Sequence, residues 1–275
     1  MLFRLLRRSL LFAVLTITSQ VGGLVYLIYY PLGRRIAGKV KNAWLSRLTR
    51  LAIFSGLMLL TSLVIVPPLA RQFGRVPLPL SANSEHPLRP GSWFFVVANR
   101  HYVKSPLADL LKETANQLAL KYSGAELLYL DAGFPFFTGF PLLPHLSHDD
   151  GEKADLAFVY RKGDSPQWQT SLATLLGYGF YTGPRGEEFD MPERCASQGY
   201  WQYDLLGKMA FKHPDYTFDE AANTYLIRTL VRDKRVRKVF IEPHLKTRLG
   251  LSERAKVRFH GCRAVRHDDH IHVEL

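Results

Sequence analysis

Two uncharged apolar runs open the chain, residues 9–30 (SLLFAVLTITSQVGGLVYLIYY) and residues 51–70 (LAIFSGLMLLTSLVIVPPLA). Each is near the ~20 residues a helix needs to cross a bilayer, and each is flanked by Arg and Lys. The pattern predicts two transmembrane helices, about 9–30 and 51–70, so that residues 1–70 form a membrane anchor. A cleaved signal peptide is the rival reading of the first run, because Arg4, Arg7 and Arg8 precede it. Against it, the apolar stretch is long and no small-x-small cleavage site follows.

Past the anchor the pattern changes. Residues 71–91 read as a linker, since Pro77, Pro79, Pro87 and Pro90 oppose regular structure. The domain, residues 92–275, opens on SWFFVVA, a strand candidate at 92–98. Ser105 can cap, and Pro106 suits the first turn of, a helix to about Tyr122, with Leu107, Leu111 and Leu118 on one face. Strands follow at 125–130 and 154–160, and 163–200 reads as a long surface excursion. Thr217-x-x-Glu220 is a capping-box signal for a helix to about Arg232. A strand at 236–243, a short helix in PHLKTRL and the strands KVRFH and HIHVEL complete the chain. This order predicts an α+β fold: a small, mainly antiparallel sheet with flanking helices, preceded by two transmembrane helices.

The formal charge of +12 invites a nucleic-acid partner, but its distribution argues against one. Nine basic residues and no acid fall in the first seventy positions. The domain's 27 basic residues then face all 24 acidic ones. The basicity marks topology. Loop 31–50 holds Arg34, Arg35, Lys39, Lys41, Arg47 and Arg50, and the positive-inside rule puts it in the cytoplasm. The domain of a bacterial inner-membrane protein would then face the periplasm. A hairpin with the domain inside is the alternative. Cys195 and Cys262 are the only cysteines. Outside the cytoplasm they can pair as one disulfide, or they can stay as two buried thiols.

Candidate chemistry lies in two histidine clusters. In SHDDGEKAD, Gly151 provides a turn that can bring His148 back toward Asp155, a carboxylate inside the apolar run ADLAFVY. Such a group is costly to bury unless paired or bound to metal. In HDDHIHVEL, His270 and His272 share one face of a strand and Ile271 and Val273 take the other. His148, Asp155 and His272 together make a mixed nitrogen and oxygen set, the pattern of catalytic zinc.

SHxxGxxxD followed far downstream by HxDHxH resembles the LAS group of zinc peptidases, most closely the penicillin-insensitive murein endopeptidases. Ser147, His148, Gly151 and Asp155 match the first motif, and His267, Asp269, His270 and His272 the second. KVFIEPHLKTRL resembles the strand-helix segment that precedes the second motif. The resemblance implies zinc held by His148, Asp155 and His272. It gives His270 a role in activating water, makes His267 its support, and leaves Asp269 as a further candidate base. It implies hydrolysis of peptide cross-links in bacterial peptidoglycan, with peptidoglycan peptides and the bilayer as partners. Arg100, Phe136 and Phe137 are candidate substrate contacts. Departures are Lys153, where relatives often carry an acid, the phenylalanine-rich loop before the first motif, and the retained anchor. Two other readings stand beside this one. One is a non-catalytic envelope protein that binds peptidoglycan or a protein partner. The other is a zinc carboxypeptidase or amidase acting on another cell-wall bond.

Overall fold

The computed structural model describes residues 2–163, 172–208 and 215–275. The first apolar run is not one helix. It reverses at Gln20, whose backbone is left-handed (φ 64°), giving α1 (Leu2–Ser19) and α2 (Gly22–Ala37), which pack on each other. Ser19 Oγ accepts the Gly22 N–H at the turn, and Gly23 has no side chain to collide with Thr16 and Phe12 of α1. Among the described residues one helix is long and apolar enough to cross a membrane, the continuous stretch Ala43–Gln72. It comprises α3 (Ala43–Leu60), a π-helical turn Thr61–Ile65 and α4 (Val66–Gln72). Asn42 starts it by accepting the N–H groups of Trp44 and Leu45. Only 17% of its apolar window is buried by the rest of the chain, which suits a lipid-facing helix and not a core one. The expectation of two transmembrane helices is therefore corrected to one. Hydropathy measures uncharged length and is blind to a backbone reversal inside it.

The domain runs β1 (Val76–Pro77), β2 (Leu88–Pro90), α5 (Trp93–Val97), β3 (Tyr102–Val103), α6 (Ser105–Lys121), β4 (Leu127–Tyr129), β5 (Lys153–Ala157) and β6 (Tyr160–Lys162). It continues through α7 (Met191–Ser197), α8 (Trp201–Lys208), β7 (Tyr216–Phe218), α9 (Glu220–Arg232), β8 (Lys238–Phe240), α10 (Pro243–Arg248), β9 (Val257–Arg258) and β10 (His270–Glu274). The main sheet has the order β2-β4-β5-β10-β8-β9. Its centre is antiparallel, but β2 pairs β4 and β8 pairs β9 in parallel. The sheet is thus mixed, and among the described residues helix outweighs strand, 45% against 12%. This corrects the mainly antiparallel α+β expectation. Strand direction follows from which crossovers return to the same edge, and the short strand signals carried no such information.

Helices α6 and α9 cover one face of this sheet. Leu107, Leu111 and Leu118 from α6 and Leu226, Ile227 and Leu230 from α9 are buried with Leu127, Leu156, Val239, Ile271 and Val273 from the strands. The alternation of β10 holds as expected: Ile271 and Val273 enter the core, and the two histidines face the other side. Three local expectations change. Residues 93–97 are helix and not strand, capped by Ser92 Oγ on the Phe94 N–H. Five apolar residues satisfy either period, and the cap decides. Lys104 and not Ser105 is the N-cap of α6. Asp219 and not Thr217 caps α9, accepting the Ala222 N–H at 2.8 Å. Part of the expected excursion at 163–200 (residues 164–171) lies outside the described residues. The following stretch brings Tyr178, half-buried, against the site carboxylates.

Cys195 of α7 and Cys262 are joined by a disulfide spanning 67 residues of sequence. Loop-closure entropy for that span corresponds to about 4 kcal/mol. A reducing agent, or Cys195→Ser with Cys262→Ser, is expected to lower the Tm of the full chain in detergent. Differential scanning calorimetry checks it, and an unchanged Tm would refute the staple.

Candidate metal centre

Strand register builds the site. His272 of β10 lies directly opposite Asp155 of β5, so the C-terminal histidine and the strand carboxylate meet as a cross-strand pair. His148 arrives from the loop between β4 and β5. Its Nδ1 is 2.8 Å from the Ala132 carbonyl, which only accepts, so Nδ1 carries a hydrogen and Nε2 is the atom turned toward the cluster. That Nε2 stands 3.0 Å from His272 Nδ1 and 3.2 Å from Asp155 Oδ1, and His272 Nδ1 is 3.0 Å from the same oxygen. All three residues are buried.

Three donors at these separations match one small cation. Tetrahedral zinc with bonds near 2.0–2.1 Å sets its ligand atoms about 3.3 Å apart. Burial would lower His148, but the Asp155 carboxylate raises it; without a metal its Nε2 can carry a proton toward Asp155 Oδ1, the place a cation would take. The donor set fits a divalent metal ion.

A second group, His145, Asp155 and His270, shares the same carboxylate. Here protons suffice for one member: His145 Nδ1 lies 3.0 Å from Asp131 Oδ2 and 3.2 Å from Asp155 Oδ2. Tyr178 donates its hydroxyl to Asp155 Oδ2 at 2.8 Å. His145, Asp131 and Tyr178 were not legible as site residues. The signal available was a buried DAG after a strand and a His three positions before His148.

Electrostatics sort the imidazoles. Burial alone would push Asp155 up, but His148, His270 and His145 hold its carboxyl well below the usual range. Burial pushes His272 down to about 3, leaving its ring neutral and able to coordinate. His267 is likewise held well below the ordinary value by burial and by His270 and His272. Burial would lower His270 too, yet Asp155 and Asp269 raise it to about 9. Asp269 Oδ1 is 2.5 Å from His270 Nδ1, and Asp269 Oδ2 accepts the Gly179 N–H at 2.6 Å. This turns His270 Nε2 toward the cluster, 3.7 Å from Asp155 Oδ1 and without a hydrogen-bond partner.

The other candidates are placed as follows. Arg100 is buried and ion-paired to Asp131 at 2.6 Å, and its Nη2 donates to the Leu143 carbonyl. Phe136 and Phe137 stand edge-on to Phe73 at the end of the anchor. Ser147 lines a cavity of about 400 Å³ with His148, Trp201, Arg263, His267 and His272. A second cavity of about 340 Å³, walled by Phe94, Arg100, Tyr178 and Arg266, reaches His270 from the other side. Pro144, His145 and Val265 border both, so the cluster sits on the saddle between them.

Two supports hold this arrangement. Arg75, just beyond α4, is buried and bridges both ends of the ligand loop: Nη2 donates to Thr138 Oγ1 at 3.0 Å and Nη1 donates to the Asp150 carbonyl. Gly151 has φ +75° and lies where a side chain would run into that guanidinium. The motif glycine is therefore required both by conformation and by space. On the other flank, Glu242 Oε1 accepts from Tyr203 at 2.9 Å and from the His267 N–H at 3.1 Å. Burial, then the neighbouring Asp268 carboxylate, pushes Glu242 up from 4.5 to about 7. A carboxyl raised on folding binds its proton more tightly in the native state, so stability falls as pH rises from about 4.5 to about 7. Glu242→Gln is expected to remove a loss on the order of 3 kcal/mol. Thermal melts of wild type and variant at pH 5 and pH 8 check this: the variant should gain only at pH 8.

No protein-family model matches the chain, and no curated protein matches it either, so no relative supplies a function and the buried His/Asp cluster is what bears on it.

Proposed function

We propose that this chain is a membrane-anchored zinc hydrolase that cleaves peptide cross-links of bacterial peptidoglycan, with its domain in the periplasm. The observation that carries the proposal is the buried triangle of His148 Nε2, Asp155 Oδ1 and His272 Nδ1. It assembles the three residues that the resemblance to the murein endopeptidases assigns as metal ligands. A divalent metal held by these residues would supply Lewis acidity, acidifying water and polarising a carbonyl.

The chain's own groups do the rest. His270 Nε2 faces the cluster with no hydrogen-bond partner. It can accept a proton from the attacking water and return it to the leaving amine. Asp269 fixes that ring through Nδ1 and has both oxygens engaged, so its role is orientation and not proton abstraction. His267 stays neutral beside His270 and His272 and can donate to the developing oxyanion. The two cavities would take the substrate on either side of the scissile bond.

The test is digestion of purified peptidoglycan by the full chain in detergent, with a chelated sample and His148→Ala alongside, and products identified by mass. Cross-linked muropeptides should fall to monomers only with metal and His148 present. Product masses separate endopeptidase from carboxypeptidase or amidase cleavage. No metal-dependent product from a folded, zinc-supplied chain would refute the hydrolase and favour a binding role.

A further inference from the structure

The anchor and the domain meet at a level that is too close to the basic end of the helices for a bilayer to fit between them. Arg34 on α2 and Arg50 on α3 mark the basic end. At the other end Asn99 Nδ2 donates to Ser62 Oγ at 3.1 Å, Ser62 Oγ donates to the Val97 carbonyl at 3.2 Å, and the Phe136 N–H donates to Gln20 Oε1 at 3.0 Å. From Arg50 to Ser62, and from Gly22 to Arg34, the helices run twelve residues, about 18 Å. Hydrocarbon is about 30 Å thick. The first cation beyond Ser62 on this helix is Arg71, and the span from Arg50 to Arg71 is about 31 Å at 1.5 Å per residue. The apolar slab thus extends about 13 Å past the level at which the domain begins.

The surface at that level is apolar. Leu63, Val64, Ile65 and Leu69 of the anchor are exposed, and so are Trp93 and Phe94 of α5, the helix whose Val97 carbonyl meets Ser62, and Phe137, which stands against Phe73 at the far edge of the slab. Beneath them Val21, Val25, Met58, Val66, Ala70 and Tyr102 pack into one core shared by anchor and domain.

We propose that the base of the domain, α5 with residues 136–137, is immersed in the acyl chains of the adjacent leaflet. The bilayer then covers Trp93, Phe94 and Phe137. The second cavity, walled by Phe94 and Arg100, opens beside the membrane surface, suited to substrates that lie close to it. This proposal needs no catalytic activity and stands apart from the hydrolase reading.

It is tested on the full chain in phosphatidylethanolamine and phosphatidylglycerol vesicles, with Trp93 as the sole tryptophan (Trp44→Phe, Trp168→Phe, Trp201→Phe). Lipids brominated along the acyl chains should roughly halve Trp93 emission, as for a side chain 5–10 Å into the leaflet, while aqueous iodide has little effect. A sole Trp201, at the rim of the first cavity, should show the reverse. A tryptophan-free chain carrying Phe137→Trp gives a second reading if the Trp93 variant fails to fold. Iodide quenching at both positions without bromine quenching would overturn the proposal. Protection from both quenchers would also overturn it, pointing to cover by protein.

Discussion

Asp155→Asn is expected to abolish stoichiometric zinc binding and to reduce hydrolysis more than about a thousandfold, since several kcal/mol of charge stabilisation leave with the metal. The physical reason is that one buried carboxylate serves both halves of the cluster. Its Oδ1 faces His148 and His272, and its Oδ2 faces His145 and the Tyr178 hydroxyl. The amide is isosteric and can keep the Tyr178 hydrogen bond, so the fold should survive. It carries no charge, and its NH₂ cannot coordinate. His148→Ala should lose the metal as well, by removing a nitrogen whose tautomer the Ala132 carbonyl fixes. Metal content by mass spectrometry, with circular dichroism for the fold, checks both. A folded Asp155→Asn chain that keeps its zinc would place the metal elsewhere.

Arg75→Met is expected to weaken metal affinity by about 10- to 100-fold while leaving the ligands untouched, the usual range for groups that orient a coordination sphere. Arg75 leaves the anchor helix and ties Thr138 to the Asp150 carbonyl, closing the loop that carries His145 and His148. Methionine keeps apolar volume and removes the donors. Gly151→Ala attacks the same contact from the opposite side, forcing a Cβ onto the guanidinium at a left-handed backbone, and should be worse because it also strains the chain. Competition with a chelator of known affinity measures the first. Soluble yield and Tm report the second. Unchanged zinc affinity in Arg75→Met would show that the loop is self-supporting.

The anchor itself packs against the loop that leads to the site. A fragment beginning at residue 71 would retain Arg75 but lose Gln20, which accepts the Phe136 N–H, and would expose Tyr102 by removing Val21, Val25, Met58, Val66 and Ala70. The full chain is therefore the proper subject for activity and metal measurements.

The sequence by itself determined the parts of this protein governed by local periodicity and residue chemistry. Alternation placed His270 and His272 on one face of the last strand with Ile271 and Val273 on the other. A buried Asp155 demanded compensation wherever it lay. The helix at Ser105–Lys121 and the short one after Pro243 followed from apolar spacing and proline position. Uncharged length marked residues 51–70, which lie inside the helix Ala43–Gln72, as able to cross a bilayer.

Only the tertiary structure decided what depends on backbone direction and distant partners. The reversal at Gln20 cost no charge and no hydropathy, so the first apolar run read as a single span. Parallel pairing of β2 with β4 and of β8 with β9 depends on crossovers that leave no mark in short strands. Arg100 read as free to bind substrate because its partner, Asp131, lies 31 residues away in the chain. Tyr178, His145 and Arg75 were silent for the same reason. Each owes its role to a contact made by folding: with Asp155 for the first two, and with the loop that carries His148 for the third.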